Sequence, residues 1–110
     1  MDGKILGKIT SAEFGSFSDM PFLFGLKLEF KLADGACVGS GGKYTENFSK
    51  SCKWSSEIEK NKRITELMES IYFILNDAHV CDVSGLKNIP VEVILDRNSF
   101  KDFRVLTEVL

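Results

Sequence analysis

The strongest constraint on this chain is an alternation. Phe22, Phe24, Leu26, Leu28 and Phe30 fall on one side of a period of two, and Leu23, Gly25, Lys27, Glu29 and Lys31 on the other. Successive side chains of a strand point to opposite faces, so this run reads as a strand with one dry face and one wetter face. Asp34-Gly35 follows as a hairpin dipeptide. Ala36, Cys37 and Val38 start the return strand before Gly39-Ser40-Gly41-Gly42 bends or ends it. Ile5 to Phe14 also has strand character, closed by the turn-like residues 15–19.

Past residue 55 the period changes. Ser56-Glu57-Ile58-Glu59 fits a capping box, in which the serine hydroxyl takes an early helix N–H and the glutamate reaches back. Ile64, Leu67, Met68, Ile71, Ile74 and Leu75 then recur on one helical stripe, so a helix is expected from Ser56 to near Asp77. Residues 43–54 are polar with three spaced rings, and are expected as a loop laid against the domain by Tyr44, Phe48 and Trp54. Residues 82–86 form a short connector of up to one helical turn. Pro90 opens a strand with Val91, Val93 and Leu95 on one face, residues 96–99 turn, and residues 103–107 close the hairpin. The expected fold is α+β: an antiparallel sheet of two hairpins with one amphipathic helix packed on it, in a single domain over residues 1–110.

Composition bounds the function. With 110 residues the chain can bury a real core without staples, and its nine phenylalanines promise either large rings inside or an apolar patch for a partner. Self-association is expected for that reason. The net charge of −2 removes the long-range attraction on which general nucleic-acid binders rely. Cys37, Cys52 and Cys81 are odd in number and widely spaced, no signal-peptide pattern opens the chain, and no apolar run reaches membrane-spanning length. Free thiols and a cytoplasmic location are expected.

Motifs for chemistry are thin. Residues 39–43 resemble a phosphate loop, but the P-loop pattern fails: Gly42-Lys43 is followed by Tyr44, and Cys37 stands where the first glycine belongs. A flexible loop is the simpler reading, with a looser anion site as the alternative. His79 with Cys37, Cys52 and Cys81 lacks the C-x2-C spacing of structural zinc, so no metal and no cofactor are expected. No nucleophile–base set is specific, and no catalytic residue is assigned.

The candidate binding residues are basic and aromatic. Lys43, Lys53, Lys60 and Arg63, with Tyr44 and Trp54 as stacking rings, could together receive phosphate or a base near a helix N-terminus. Glu57 and Glu59 oppose this electrostatically. The alternative site is Arg97 and Arg104 in the final hairpin, where Glu92 or Glu108 is expected to pair with Arg104.

Residues 76–87 (Asn76-Asp77-Ala78-His79-Val80-Cys81-Asp82-Val83-Ser84-Gly85-Leu86-Lys87), then Pro90-Val91-Glu92-Val93 and the ending Phe103-Arg104-Val105-Leu106-Thr107-Glu108-Val109-Leu110, resemble a family of small uncharacterised phage and prophage proteins. Lys53-Trp54-Ser55 and Phe24-Gly25-Leu26 are similar too, while the glycine-rich, cysteine-bearing middle departs from the family. The resemblance carries no catalytic motif. It implies a phage-encoded origin. By analogy with small phage proteins that act by binding, the expected function is a non-enzymatic binding protein that counters a host function, an anti-defence inhibitor sequestering a host defence protein or a nucleotide-like ligand. The alternative is a small accessory nucleic-acid-binding protein with a partly closed β-barrel.

Overall fold

A computed structural model describes residues 3–48 and 56–110. In chain order the elements are β1 (Gly3–Ser16), β2 (Leu23–Leu32), β3 (Cys37–Gly39), β4 (Thr45–Asn47), α1 (Glu57–Asp77), β5 (Pro90–Asp96) and β6 (Ser99–Val105). Short 3-10 turns occupy Val83–Leu86 and Thr107–Val109. This is the expected α+β fold: a multi-stranded antiparallel sheet with one helix packed against it.

Spatial order along the sheet is β3-β2-β1-β5-β6, with β4 paired to the other half of β2. Three consecutive strands followed by one that returns beside the first, after a long connection, make a Greek key. A bulge lets β1 serve two partners. Gly3 to Lys8 pair with β5 and Gly7 to Ser16 with β2, and the register slips between Ile9 and Ser11, leaving Thr10 as the extra residue. Bulges bend a strand and increase its twist. The sheet curls until β3 and β6, the ends of the path, come close without pairing. A gap of about 230 Å³ remains between the residue 34–38 segment and Leu95 and Asn98. The result is a partly open, five-stranded Greek-key barrel with one added short strand.

The alternation of residues 22–31 decides what lies inside. Leu26, Leu28, Phe30 and Leu32 are buried, joined by Ile9, Val91, Val93, Phe103 and Val105 from neighbouring strands. Phe30 stacks on Phe100 with centroids 5.3 Å apart and leans on Phe103 at 5.1 Å, so β2 and β6 meet through rings across the barrel. Fully burying a side chain of this size is worth about 1.5–3 kcal/mol.

The helix begins where the capping box lies. The Glu59 N–H donates to Ser56 Oγ at 3.0 Å. It ends in a Schellman motif: the His79 N–H donates to Asn76 O and the Val80 N–H to Leu75 O, with His79 at φ 58°. Leu67 and Ile71 are buried and Ile64, Ile74 and Leu75 half-buried, but Met68, expected on the same stripe, is 54% exposed. The barrel presents the helix with a narrower apolar surface than six residues would cover.

Two further expectations change. Thr45–Asn47, expected as loop, is a strand, because the register Leu23↔Asn47 to Gly25↔Thr45 extends the sheet past β3. That close approach needs Gly25: a Cβ there would sit 2.2 Å from the Tyr44 carbonyl oxygen, and φ is +155°. The second concerns Tyr44, expected both to lay its loop against the domain and to offer a stacking ring. It does the first by burial with Phe100 and Phe103, and that burial removes it as an exposed platform.

Candidate functional site

The expected basic site divides when its members are located. Lys53 and Trp54 lie outside the described residues. Lys43 is exposed, with Nζ 6.0 Å from the centroid of the Tyr44 ring. Arg63 pairs with Glu46 at 3.1 Å, which ties α1 to β4, and half-buried Lys60 lies one turn earlier on the helix. Lys60 and Arg63 therefore lie on the helix where it meets β4, and Lys43 lies just before β4 in the chain.

Tyr44 does not serve there as a stacking platform. It is only 7% exposed, and its hydroxyl donates to Asp102 Oδ1 at 3.2 Å. Burial, the Asp102 charge and this hydrogen bond together push its phenol far above the ordinary tyrosine range. The Leu26 N–H donates to the Tyr44 carbonyl at 2.9 Å, which holds the residue against β2, and Phe100 and Phe103 of β6 close on its ring.

The glycine loop turns several of its polar groups inward. The Ser40 N–H donates to Leu28 O, the Lys43 N–H to Ser40 O and the Thr45 N–H to Gly42 O, while Ser40 Oγ accepts the Leu28 N–H at 3.0 Å. These amides are engaged within the fold and do not converge on an outside anion.

In the final hairpin Arg104 has its expected partners. Its Nε donates to Glu92 at 3.1 Å, and its two terminal nitrogens fork onto Glu108 at 3.1 and 3.2 Å. The guanidinium hydrogen bonds hold the Glu108 carboxyl below the usual carboxylate range. Arg97 sits with Asn98 in the two-residue β5–β6 turn, both at positive φ (53° and 66°), a hairpin geometry that glycine or asparagine usually fills.

A different concavity lies on the outer face of the barrel. Ser11 and Glu13 of β1, Lys27 and Glu29 of β2, Ser40 beyond β3, and Phe17 and Asp19 of the β1–β2 loop surround a cleft of about 250 Å³. Lys27 is held by the Ser16 carbonyl at 3.0 Å and by the Phe17 ring, 5.5 Å from its Nζ. Sequence reasoning missed this cleft. Its residues are scattered polar members of the wet face, and only the β1–β2 register brings Glu13 opposite Lys27.

Among the described residues no three of His, Cys, Asp and Glu gather as a metal site, and Cys37 and Cys81 are exposed. Cys52 lies outside those residues. No helix among them is long and apolar enough to cross a membrane. Comparison with protein-family models, curated proteins and solved structures gives no match.

Proposed function

We propose that this chain is a non-enzymatic binding protein that acts by occupying a partner, and that it does so with the cleft under the β1–β2 loop. The position of that cleft carries the reading. It lies on the outer face of the Greek-key strands, beside the loop joining the first two, where partly open barrels of this kind take their ligands. Its lining sets Glu13, Asp19 and Glu29 against Lys27. That balance repels phosphate and attracts a lysine or arginine presented by a protein. Of the two occupants expected by analogy with small phage proteins, it favours a host defence protein over a nucleotide-like ligand. The protein would counter a host function in the cytoplasm by stoichiometric sequestration.

Chemical-shift mapping tests this reading. A Lys/Arg-rich peptide is expected to move the amides of Ser11, Glu13, Lys27 and Glu29. Glu13→Lys combined with Glu29→Lys should abolish those shifts and leave Tm nearly unchanged, since both side chains are exposed. If nucleotides instead move the amides around Lys43 and Lys60, the site is the basic cluster and the cleft is the wrong surface. Turnover of an added nucleotide would make the protein an enzyme.

The barrel architecture favours one second reading, an accessory nucleic-acid-binding protein. Its signature is affinity for a single-stranded oligonucleotide that falls steeply as salt rises.

A further inference from the structure

The outer edge of β1 has no strand beside it between Ala12 and Ser16 among the described residues. Pairing with β5 stops at Lys8↔Pro90, and the last backbone bonds on that side join Ile9 to Asn88 and Ile89. The direction of the free groups follows from β2. The Leu26 N–H donates to Tyr44 O and the Leu28 N–H to Ser40 Oγ, so both point away from β1. Their partners across the pair are Phe14 and Ala12. In an antiparallel ladder such non-bonded pairs turn their N–H and C=O outward on both sides. Ala12, Phe14 and, by the same alternation, Ser16 therefore present backbone donors and acceptors to the open edge. The Ser16 carbonyl also takes Lys27 Nζ and keeps a second lone pair.

Beside this edge lies a stripe of exposed rings. Phe14 is 46%, Phe24 38% and Phe48 46% exposed. They touch edge to face in strand order, with centroids 5.0 Å apart for Phe14–Phe24 and 5.9 Å for Phe24–Phe48. Exposed strand edges are usually blunted by lysine, proline or a bulge. Residues 11–16 contain no lysine and no proline, and the bulge lies before them, at Thr10.

We propose that this edge pairs with the same edge of a second copy, giving a twofold dimer with β1 antiparallel to its mate and the dyad at Phe14. Backbone parity allows only registers centred on a residue. A dyad at Glu13 would set two carboxylates directly opposite each other in the closer, non-bonded kind of pair, which like charge disfavours. A dyad at Phe14 places Glu13 opposite glycine (Gly15) and makes Phe14–Phe14 and Ala12–Ser16 bonded pairs, each exchanging two N–H···O bonds. The two ring stripes then run on as one: Phe48, Phe24 and Phe14, followed by the mate's three in reverse. An isologous contact needs self-complementary surface, and this edge supplies it in hydrogen bonds and apolar area, with neither Glu13 set opposite a like charge. The sheet becomes continuous through both copies, with the two outer-face clefts on either side of the dyad. The inference does not depend on what the clefts hold.

Light scattering after size-exclusion chromatography tests it, with hydrogen exchange as a second readout. The wild type is expected at twice the chain's 12.3 kDa at micromolar concentration. Phe14→Lys should fall to one chain mass with an unchanged folded spectrum, whereas Tyr72→Lys, at a more exposed ring on the helix, should remain a dimer. The Ala12 and Phe14 amides should lose protection on dilution, while the Glu13 amide, bonded to β2, keeps it. A single-chain mass at every concentration overturns the proposal, as does a dimer that survives Phe14→Lys or dissociates with Tyr72→Lys. Concentration-independent protection of Ala12 and Phe14 would mean that the chain itself covers the edge, and also overturns it.

Discussion

The molecule holds two clusters of phenylalanine that meet opposite fates. One, Phe30, Phe100 and Phe103 with Tyr44, is closed inside the barrel, and Phe30 is fully buried. The other, Phe14, Phe24 and Phe48, lies open on the same curved sheet. Phe24 and Phe30 even belong to one strand and one face of it, three alternations apart. Residue type and strand periodicity therefore did not separate them. Coverage did. The β1 bulge brings β6 round to face β2 at Phe30, whereas Phe24, where β2 pairs with short β4, meets only Phe14 and Phe48 among the rings of the described residues. Strand pattern tells which way a ring points, and topology decides whether anything meets it.

The largest expected effect tests this contrast. Phe30→Ala should cost about 3–5 kcal/mol, because it removes a fully buried ring from a packed cluster and leaves a cavity. Phe24→Ala should cost about 1 kcal/mol, the ordinary scale for a partly exposed site. Urea unfolding of both variants measures the difference. Losses of equal size would mean that the outer cluster is covered as thoroughly as the inner one.

A paired glycine comparison comes next. Gly15 and Gly25 face each other across β1 and β2, with φ near +154° and +155°. A Cβ on Gly15 meets nothing within 4 Å, while one on Gly25 meets the Tyr44 carbonyl at 2.2 Å. Gly25→Ala should therefore cost about 2 kcal/mol or more, since it adds displacement of Tyr44 to the backbone strain, and Gly15→Ala about 1 kcal/mol from strain alone. The near-UV signal of the inner rings should change for Gly25→Ala only. Matching behaviour would remove the close β2–β4 approach as the anchor of Tyr44.

These contrasts mark how far the sequence could be read. Phe22 and Phe24, expected on the dry face, are exposed. The Leu26, Leu28 and Phe30 part of that face, the Asp34-Gly35 turn, the Ser56 cap and the last hairpin follow from rules acting over a few residues and stand in the structure. So does the Arg104 pairing, where two carboxylates lay within strand or 3-10 reach. What local rules could not supply was anything set by closure. Thr45–Asn47 carries no strand pattern and is a strand because β2 offers it an edge. Tyr44 reads from the sequence both as an anchor of its loop and as a stacking ring, and it is the buried anchor because Phe100 and Phe103 arrive from a strand more than fifty residues later. The outer cleft is assembled from β1, β2 and two loops, so no window of sequence contains it.

The smallest expected effect isolates the one polar member of the inner cluster. Tyr44→Phe keeps the ring and removes the bond to Asp102, which should cost about 0.5–1.5 kcal/mol near neutral pH. The sign of its pH dependence follows from linkage. Folding raises the Tyr44 phenol above its unfolded value of about 10, so above that pH the unfolded chain binds fewer protons than the folded one. The stabilisation from this group is thus complete below about pH 10 and is lost as pH rises, by about 1.4 kcal/mol for each unit. Tyr44→Phe lacks this term, while every other titrating group is common to both proteins and cancels in the difference. The wild type should therefore be the more stable protein at pH 8, lose that lead near pH 11 and fall behind the variant beyond it. Urea unfolding of the two proteins side by side at those pH values measures the crossing. A lead that stays constant through pH 11 would mean that Tyr44 ionises freely in the folded state, which a ring enclosed by Phe100 and Phe103 beside a carboxylate does not allow.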